Sequence, residues 1–372
     1  MDFDATPQKA VDLRSLTVLE PDQVRLSHRE ATTSPCDSCQ TSPCCQMLPL
    51  QTFALISLSD VDYALYLLNF DNIELGVSAD GSWSAYYRQS CRFLDPDTFG
   101  CRLHGTPDKP HVCVQYNPFS CFYRKAFGDG GADAAYLRID RQRMQIVADS
   151  LVYDTARNIV GAPTIESLAE AFSDLPLDDT VVPAEEPPTP GWVGAAADPT
   201  APCDSCAAHC CTTLMFPIGA PAHVSSLDYL RFALGFPGTE VVVVDDQWQL
   251  AVRSRCRHLD QGRCGAFGSD ERPLRCSFYD AWTCSYRPVF DANGAPSTVR
   301  LRLEEFPVLA GACTFNPDGT AAAVPVAADL RPAVAAHRSA ASVDRPSLRS
   351  TAMIRRLLPL TVVGRPAAAR GA

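Results

Sequence analysis

Apolar and polar positions along this chain fall into a pattern that occurs twice. Ser59-x-x-Asp62 reads as a short capping box opening an apolar segment, Val61 to Leu68, and Ser225-x-x-Asp228 does the same for Leu227 to Leu234. Each segment predicts a helix, ended by a residue that tolerates left-handed backbone, Asn69 or Gly235. Two β-rich runs follow each helix. Ile73 to Val77 and Trp83 to Arg88 flank Ser78-Ala79-Asp80-Gly81, and Glu240 to Val244 and Trp248 to Arg253 flank Asp245-Asp246-Gln247. These predict two hairpins, each delivering the chain to a cysteine, Cys91 or Cys256.

The cysteines supply the period. The first set is Cys36, Cys39, Cys44, Cys45, Cys91, Cys101, Cys113 and Cys121; the second is Cys203, Cys206, Cys210, Cys211, Cys256, Cys264, Cys276 and Cys284. Paired in order, their offset falls from 167 to 163 and never rises, as short deletions between motifs would make it. Pro35-Cys36-Asp37-Ser38-Cys39 recurs as Pro202-Cys203-Asp204-Ser205-Cys206, and Tyr123-Arg124 recurs as Tyr286-Arg287. Further on, Leu137-Arg138-Ile139-Asp140 parallels Leu301-Arg302-Leu303-Glu304. The sequence reads as a tandem duplication. The remaining cysteine, Cys313, has Ser150 or Asp149 opposite it and reads as a buried, reduced side chain.

Length and charge narrow the classes. The 372 residues suggest two or three domains, and 46% hydrophobic with 20% charged residues is globular composition. A net charge of −11 argues against a nucleic-acid or anionic-membrane partner. The start, Met1-Asp2-Phe3-Asp4, is acidic with no apolar core, and no apolar run is long enough to span a bilayer. The expectation is a soluble, cytoplasmic protein with reduced thiols.

That expectation changes what 17 cysteines mean. In a reducing compartment, clustered cysteines are metal ligands more often than bridges. A Cys-x-x-Cys turn lets two thiolates reach one tetrahedral ion. Adjacent side chains point apart, so the doublets Cys44-Cys45 and Cys210-Cys211 suit two sites, or two irons of one cluster, better than one small ion. All sixteen repeating cysteines are therefore candidate metal ligands. His104, His209 and His258 lack histidine counterparts in the other copy and are weaker candidates. The recurring Arg92, Arg257, Arg124 and Arg287 either offset the negative charge of a thiolate site from outside it or line an anion or substrate pocket. Asp95 and Asp260 either pair these arginines or start turns. No GxxxxGK[ST], HExxH, GxSxG or dinucleotide fingerprint is present, so enzymatic activity stays uncertain and the balance is against it.

At these cysteines the chain resembles the CxxCxxCC cysteine-cluster proteins, a group described as zinc- or iron-chelating and sometimes labelled iron–sulfur proteins. The resemblance rests on Cys256-Arg257-His258-Leu259, Cys264, Arg272-Pro273, Cys276 and Cys284, and on Cys91-Arg92-Phe93-Leu94, Cys101, Lys109-Pro110, Cys113 and Cys121. It covers roughly residues 34–125 and 201–288. The chain departs from the group in its looser doublet spacing, in Lys-Pro for Arg-Pro, and in carrying the module twice. The resemblance implies chelation of iron, as an iron–sulfur cluster, or of zinc, and the doublets give the cluster a slight preference. Through the related bacterial flagellin lysine methylases it also implies an alternative, a cluster-dependent group-transfer or redox enzyme.

The expected architecture is α+β. Two homologous, metal-organised modules, 30–150 and 203–312, are joined by a Pro-rich acidic linker over 172–202, flexible enough to leave them independent. An Ala/Pro/Arg-rich tail over 321–372, with eight Arg against two Asp, reads as disordered. The other reading of the tail has it fold back across the acidic modules. A third function, a metal-organised scaffold, would use this tail to recruit a protein partner.

Overall fold

Alternating apolar runs become strands and the 3.6-period segments become helices, giving a mixed α and β fold. The computed structural model describes residues 39, 42–116, 123, 136–184, 206–290 and 297–341. The chain divides between Cys39 and Gln40, and everything below concerns the unit that begins at Gln40 unless Cys39 is named. Among the described residues no helix is long and apolar enough to cross a membrane.

The first half runs β1 (Met47–Phe53), α1 (Leu58–Leu67), β2 (Ile73–Ser78), β3 (Trp83–Arg88), α2 (His111–Gln115), β4 (Tyr136–Ile139), α3 (Arg141–Asp149), β5 (Val152–Tyr153), β6 (Ile159–Gly161) and α4 (Ile165–Ala171). Its main sheet is antiparallel in the order β1-β3-β2-β4. The second half runs β7 (Thr213–Ile218), α5 (Val224–Leu234), β8 (Thr239–Val244), β9 (Gln247–Arg253), β10 (Leu259–Asp260), β11 (Arg263–Cys264), α6 (Leu274–Ser277), α7 (Arg287–Phe290) and β12 (Thr298–Leu301). It ends in α8 (Phe306–Ala312), β13 (Thr314–Phe315), β14 (Ala321–Ala323) and α9 (Ala327–Ala341), and its sheet order is β7-β9-β8-β12. The strand orders match.

Strand register corrects one parallel drawn from sequence. Arg138 pairs opposite Gly76 on β2 and Arg300 opposite Val242 on β8, so Arg138 corresponds to Arg300 and not to Arg302. The reason is a buried carboxylate. Glu74 and Glu240 project from β2 and β8 on the side opposite Leu75 and Val241. Arg138 holds Glu74 at 2.6 Å and Arg300 holds Glu240 at 2.7 Å. The offset has then fallen to 162, and it stays there. Asp154 N–H bonds Asn158 C=O as Asn316 N–H bonds Thr320 C=O, and Ile165 opens α4 where Ala327 opens α9. Leu151, not Ser150 or Asp149, faces Cys313 in this register.

The tail expected to be disordered is therefore helical over its first part. Ala327, Leu330 and Val334 repeat at helical spacing and are buried in a cluster with Leu301, Phe306 and Leu309. Arg338 bonds Glu305 at 3.0 Å, so this part of the tail does fold back on an acidic partner. Residues 342–372 lie outside the described residues, as do 185–202 of the expected linker. Its beginning, to residue 184, is fastened to the first sheet. Asn72 exchanges two hydrogen bonds with the backbone of Val182, and Arg88 donates to the carbonyl of Asp178.

The helix caps also differ from expectation. Ser57 caps α1, with Asp60 closing the box, and His223 caps α5, so Asp62 and Asp228 do not cap their own helices. Gly235 keeps helical backbone at φ −68°; the left-handed positions come three residues later, at Asn72 (φ 61°) and Gly238 (φ 78°).

Independent modules are not what the core shows. Leu48, Leu67, Leu75 and Tyr87 of the first half share one buried cluster with Leu214, Phe216, Phe236, Leu250 and Val252 of the second. Each large side chain removed from water there contributes about 1.5–3 kcal/mol, and those contributions belong to both halves together.

Candidate metal centre

Each cysteine loop is built from local turns, and the turns match between halves. Ser42 (φ 41°) and Ala208 (φ 56°) take left-handed backbone and start one-turn helices, Pro43–Cys45 and His209–Cys211. These turn the doublets inward beside the first residues of β1 and β7. The carbonyls of Cys45 and Cys211 then accept from the N–H groups of Cys91 and Cys256, each at 2.7 Å. Leu94 bridges Cys101 as Leu259 pairs with Cys264. Cys113 and Cys276 sit on α2 and α6, their N–H groups bonded to the carbonyls of Pro110 and Pro273 at 2.9 and 3.0 Å. Proline at the start of each short helix costs no hydrogen bond there, which accounts for the Lys-Pro and Arg-Pro motifs.

Five cysteines of each half are thereby brought into one electrostatic neighbourhood. Every described cysteine is a free thiol, half-buried except for Cys313. Cys44 is held down to about 7 by a hydrogen bond from the Cys45 thiol, with the charge of Lys109 adding to it. Cys210 is likewise held at about 7, by Cys211 and, further off, by Arg272. Cys45 and Cys211 move the other way, because each is the donor in that bond, is desolvated, and lies near other thiolates. Burial pushes Cys113 and Cys276 up to about 12, and the negative charge of neighbouring cysteines adds to it. Cys91 and Cys256 are raised by burial.

Other candidates fall at the margin or beyond it. Cys206 is raised by burial, although the backbone N–H groups of His209 and Ala208 point at its sulfur. Cys284 accepts from the Tyr279 hydroxyl at 3.2 Å. Cys39 is half-buried, and Cys36, Cys121, Cys203 and Arg124 lie outside the described residues. Among the described residues, no three His, Cys, Asp or Glu side chains converge closely enough to hold a metal ion as they stand.

Two of the recurring arginines make backbone contacts between the halves. The N–H groups of Arg92 and Arg257 donate to the carbonyls of Gly235 and Asn69, each at 2.8 Å and each in the other half. Arg287 opens α7, away from the doublet turns in sequence. Asp95 starts a turn, accepting from Thr98 and Asp97 N–H. His209 stacks on Phe290 at 5.1 Å, and burial lowers the His258 pKa.

Sequence reasoning missed the aromatic residues around the thiols. Tyr66, on α1, lies beside Tyr286 and near enough to Cys276 and Cys210 to feel their charge. The ring of Tyr63, one turn earlier, faces the Arg275 guanidinium at 4.6 Å. Both tyrosines lie within the apolar segment Val61 to Leu68, and nothing in spacing marks a residue that reaches into the opposite half. Comparison with protein-family models, curated proteins and solved structures found no match.

Proposed function

We propose that this is a metal-binding protein built from two homologous cysteine-cluster modules that arose by duplication, the chain between them passing through residues 172–202. The observation that carries the reading is the gathering of Cys44, Cys45, Cys91, Cys101 and Cys113 on the same turns as Cys210, Cys211, Cys256, Cys264 and Cys276. The negative charge of neighbouring thiolates raises Cys45 and Cys211 further, a cost that a bound cation turns into attraction. Soft thiolate donors with no recurring imidazole among them suit zinc or an iron–sulfur cluster, and the back-to-back doublets favour the cluster slightly. Such a group would bring the thiolates together; Cys36, Cys39 and Cys121, with Cys203, Cys206 and Cys284, complete the candidate set. A cytoplasmic, reducing location goes with this reading.

The test is the absorption spectrum of protein purified without oxygen, with total zinc, iron and sulfide. Brown protein with broad absorbance bleached by dithionite means an iron–sulfur cluster; colourless protein with stoichiometric zinc means zinc. Protein free of zinc and iron after purification, with no uptake of either under reducing conditions, overturns the reading.

A further inference from the structure

Asp62 and Asp228 serve the halves to which they do not belong. The Asp62 carboxylate accepts from the backbone N–H groups of Leu274 (2.8 Å) and Arg275 (3.0 Å), in the first turn of α6. The Asp228 carboxylate accepts from the N–H groups of His111 (2.5 Å) and Val112 (3.4 Å), in the first turn of α2. α2 carries Cys113 and α6 carries Cys276. Both helices are too short to persist alone, and the proline that precedes each offers no side-chain cap. The carboxylate that stabilises each helix start therefore comes from across the molecule. The exchange continues at the far ends of α1 and α5, where Asn69 and Gly235 accept from Arg257 and Arg92. Between these points Tyr63 holds Arg275 and Tyr66 lies beside Cys276.

We propose that Asp62 is a positioning residue for the second half's cysteine site and Asp228 for the first half's, so that the two sites fill as a coupled pair. The coupling in metal filling rests on the metal reading above; the crossed positioning does not.

The test uses the full chain, reduced and metal-free, alkylated with iodoacetamide and read cysteine by cysteine by mass spectrometry. Asp62→Ala should raise the rate at Cys276 about fivefold, the usual effect of losing a helix cap, and leave Cys113 unchanged. Asp228→Ala should do the reverse. Asp62→Asn, which keeps one acceptor oxygen, should give a smaller rise and serves if the alanine variant does not fold. A rise at Cys113 in the Asp62 variants, or an equal rise at both cysteines, overturns the exchange. Zinc is then titrated in, and protection from alkylation is followed at each site. Asp62→Ala should need about tenfold more zinc to protect Cys276, with a smaller increase at Cys113. Unchanged protection at Cys113 overturns the coupling. Crossed alkylation rates with no protection of the wild-type chain, by zinc or by iron and sulfide under reducing conditions, leave the exchange standing and remove the metal reading instead.

Discussion

Asp228 is 2% exposed, bound to Arg231 at 2.5 Å as well as to α2, whereas Asp62 is half-buried and has Leu65 where the other half has Arg231. Glu74 is held by Arg138 and Arg88, and residues 178–182 lie across the first sheet beside them. Glu240 is held by Arg300 and Arg302, and in place of that strap α9 continues for 15 residues, with Arg338 bonding Glu305 and the Arg300 carbonyl. Side chains around the two halves thus differ, while the crossed contacts at Arg92, Arg257, Asp62 and Asp228 recur in both directions. Each contact has a backbone N–H as its donor, which any residue but proline supplies, so the surrounding side chains are free to differ. Lys109-Pro110 against Arg272-Pro273, and Phe93 against His258, are examples of that difference.

The sharpest way to break the comparison is to attack what the halves share. Phe236 is fully buried in the common cluster, at the end of α5. Phe236→Ala should cost about 3–5 kcal/mol, and both halves should lose that stability together. Urea unfolding followed by hydrogen exchange at β2 and at β8 should give one midpoint. Two midpoints, with only the second half displaced, would restore independent modules.

A smaller effect sharpens the difference between halves. Removing the carboxyl charge from Glu74 or Glu240 leaves two guanidiniums facing a neutral side chain, which costs about 3 kcal/mol where the pair is buried. Both glutamates are 3% exposed on their side chains. Glu74→Gln should cost less, because Asp179 remains within 2.8 Å of Arg138 and takes up part of the charge. Equal costs, measured by thermal unfolding of the two variants, would mean the Asp179 strap adds nothing.

Local patterns were legible in the sequence and crossed ones were not. The hairpins at 73–88 and 239–253 and the matched cysteine turns followed from alternation, turn residues and a repeated spacing. Ser59-x-x-Asp62 fitted a capping box just as well as the box that forms, Ser57 with Asp60, since both place an acceptor before an apolar segment. What decides between them is that Asp62 is engaged by α6, 212 residues away in sequence, which no local rule can see. The tail was misread for another reason. Its Ala, Pro and Arg content is that of an unfolded segment, yet three apolar residues at helical spacing, Ala327, Leu330 and Val334, suffice to dock it. Cysteine spacing marks the repeat only as far as Cys284; beyond it the register is set by Glu74 and Glu240, two residues away from the parallel that local sequence suggests.

The smallest expected effect concerns Cys313, which stands where the first half has Leu151 and is buried among Leu309, Phe306 and their neighbours. An apolar counterpart argues that its thiol serves as a small hydrophobe, so Cys313→Ala should cost only about 1 kcal/mol at neutral pH and leave metal content unchanged. Alkaline pH separates this from a ligand role. Burial pushes the thiol up to about 11 from an ordinary value near 9. Between those values the unfolded chain has released this proton and the folded chain has not. The group's contribution is therefore complete below pH 9 and is lost as pH rises through 11, at up to about 1.4 kcal/mol per pH unit. Cys313→Ala removes that slope, so the variant's deficit should shrink and then reverse as pH rises. Urea unfolding of both proteins at pH 7, 9 and 10.5 gives the comparison. Parallel pH profiles would show that burial does not hold this thiol protonated, and metal lost from the variant would show that the second half uses a ninth cysteine where the first has leucine.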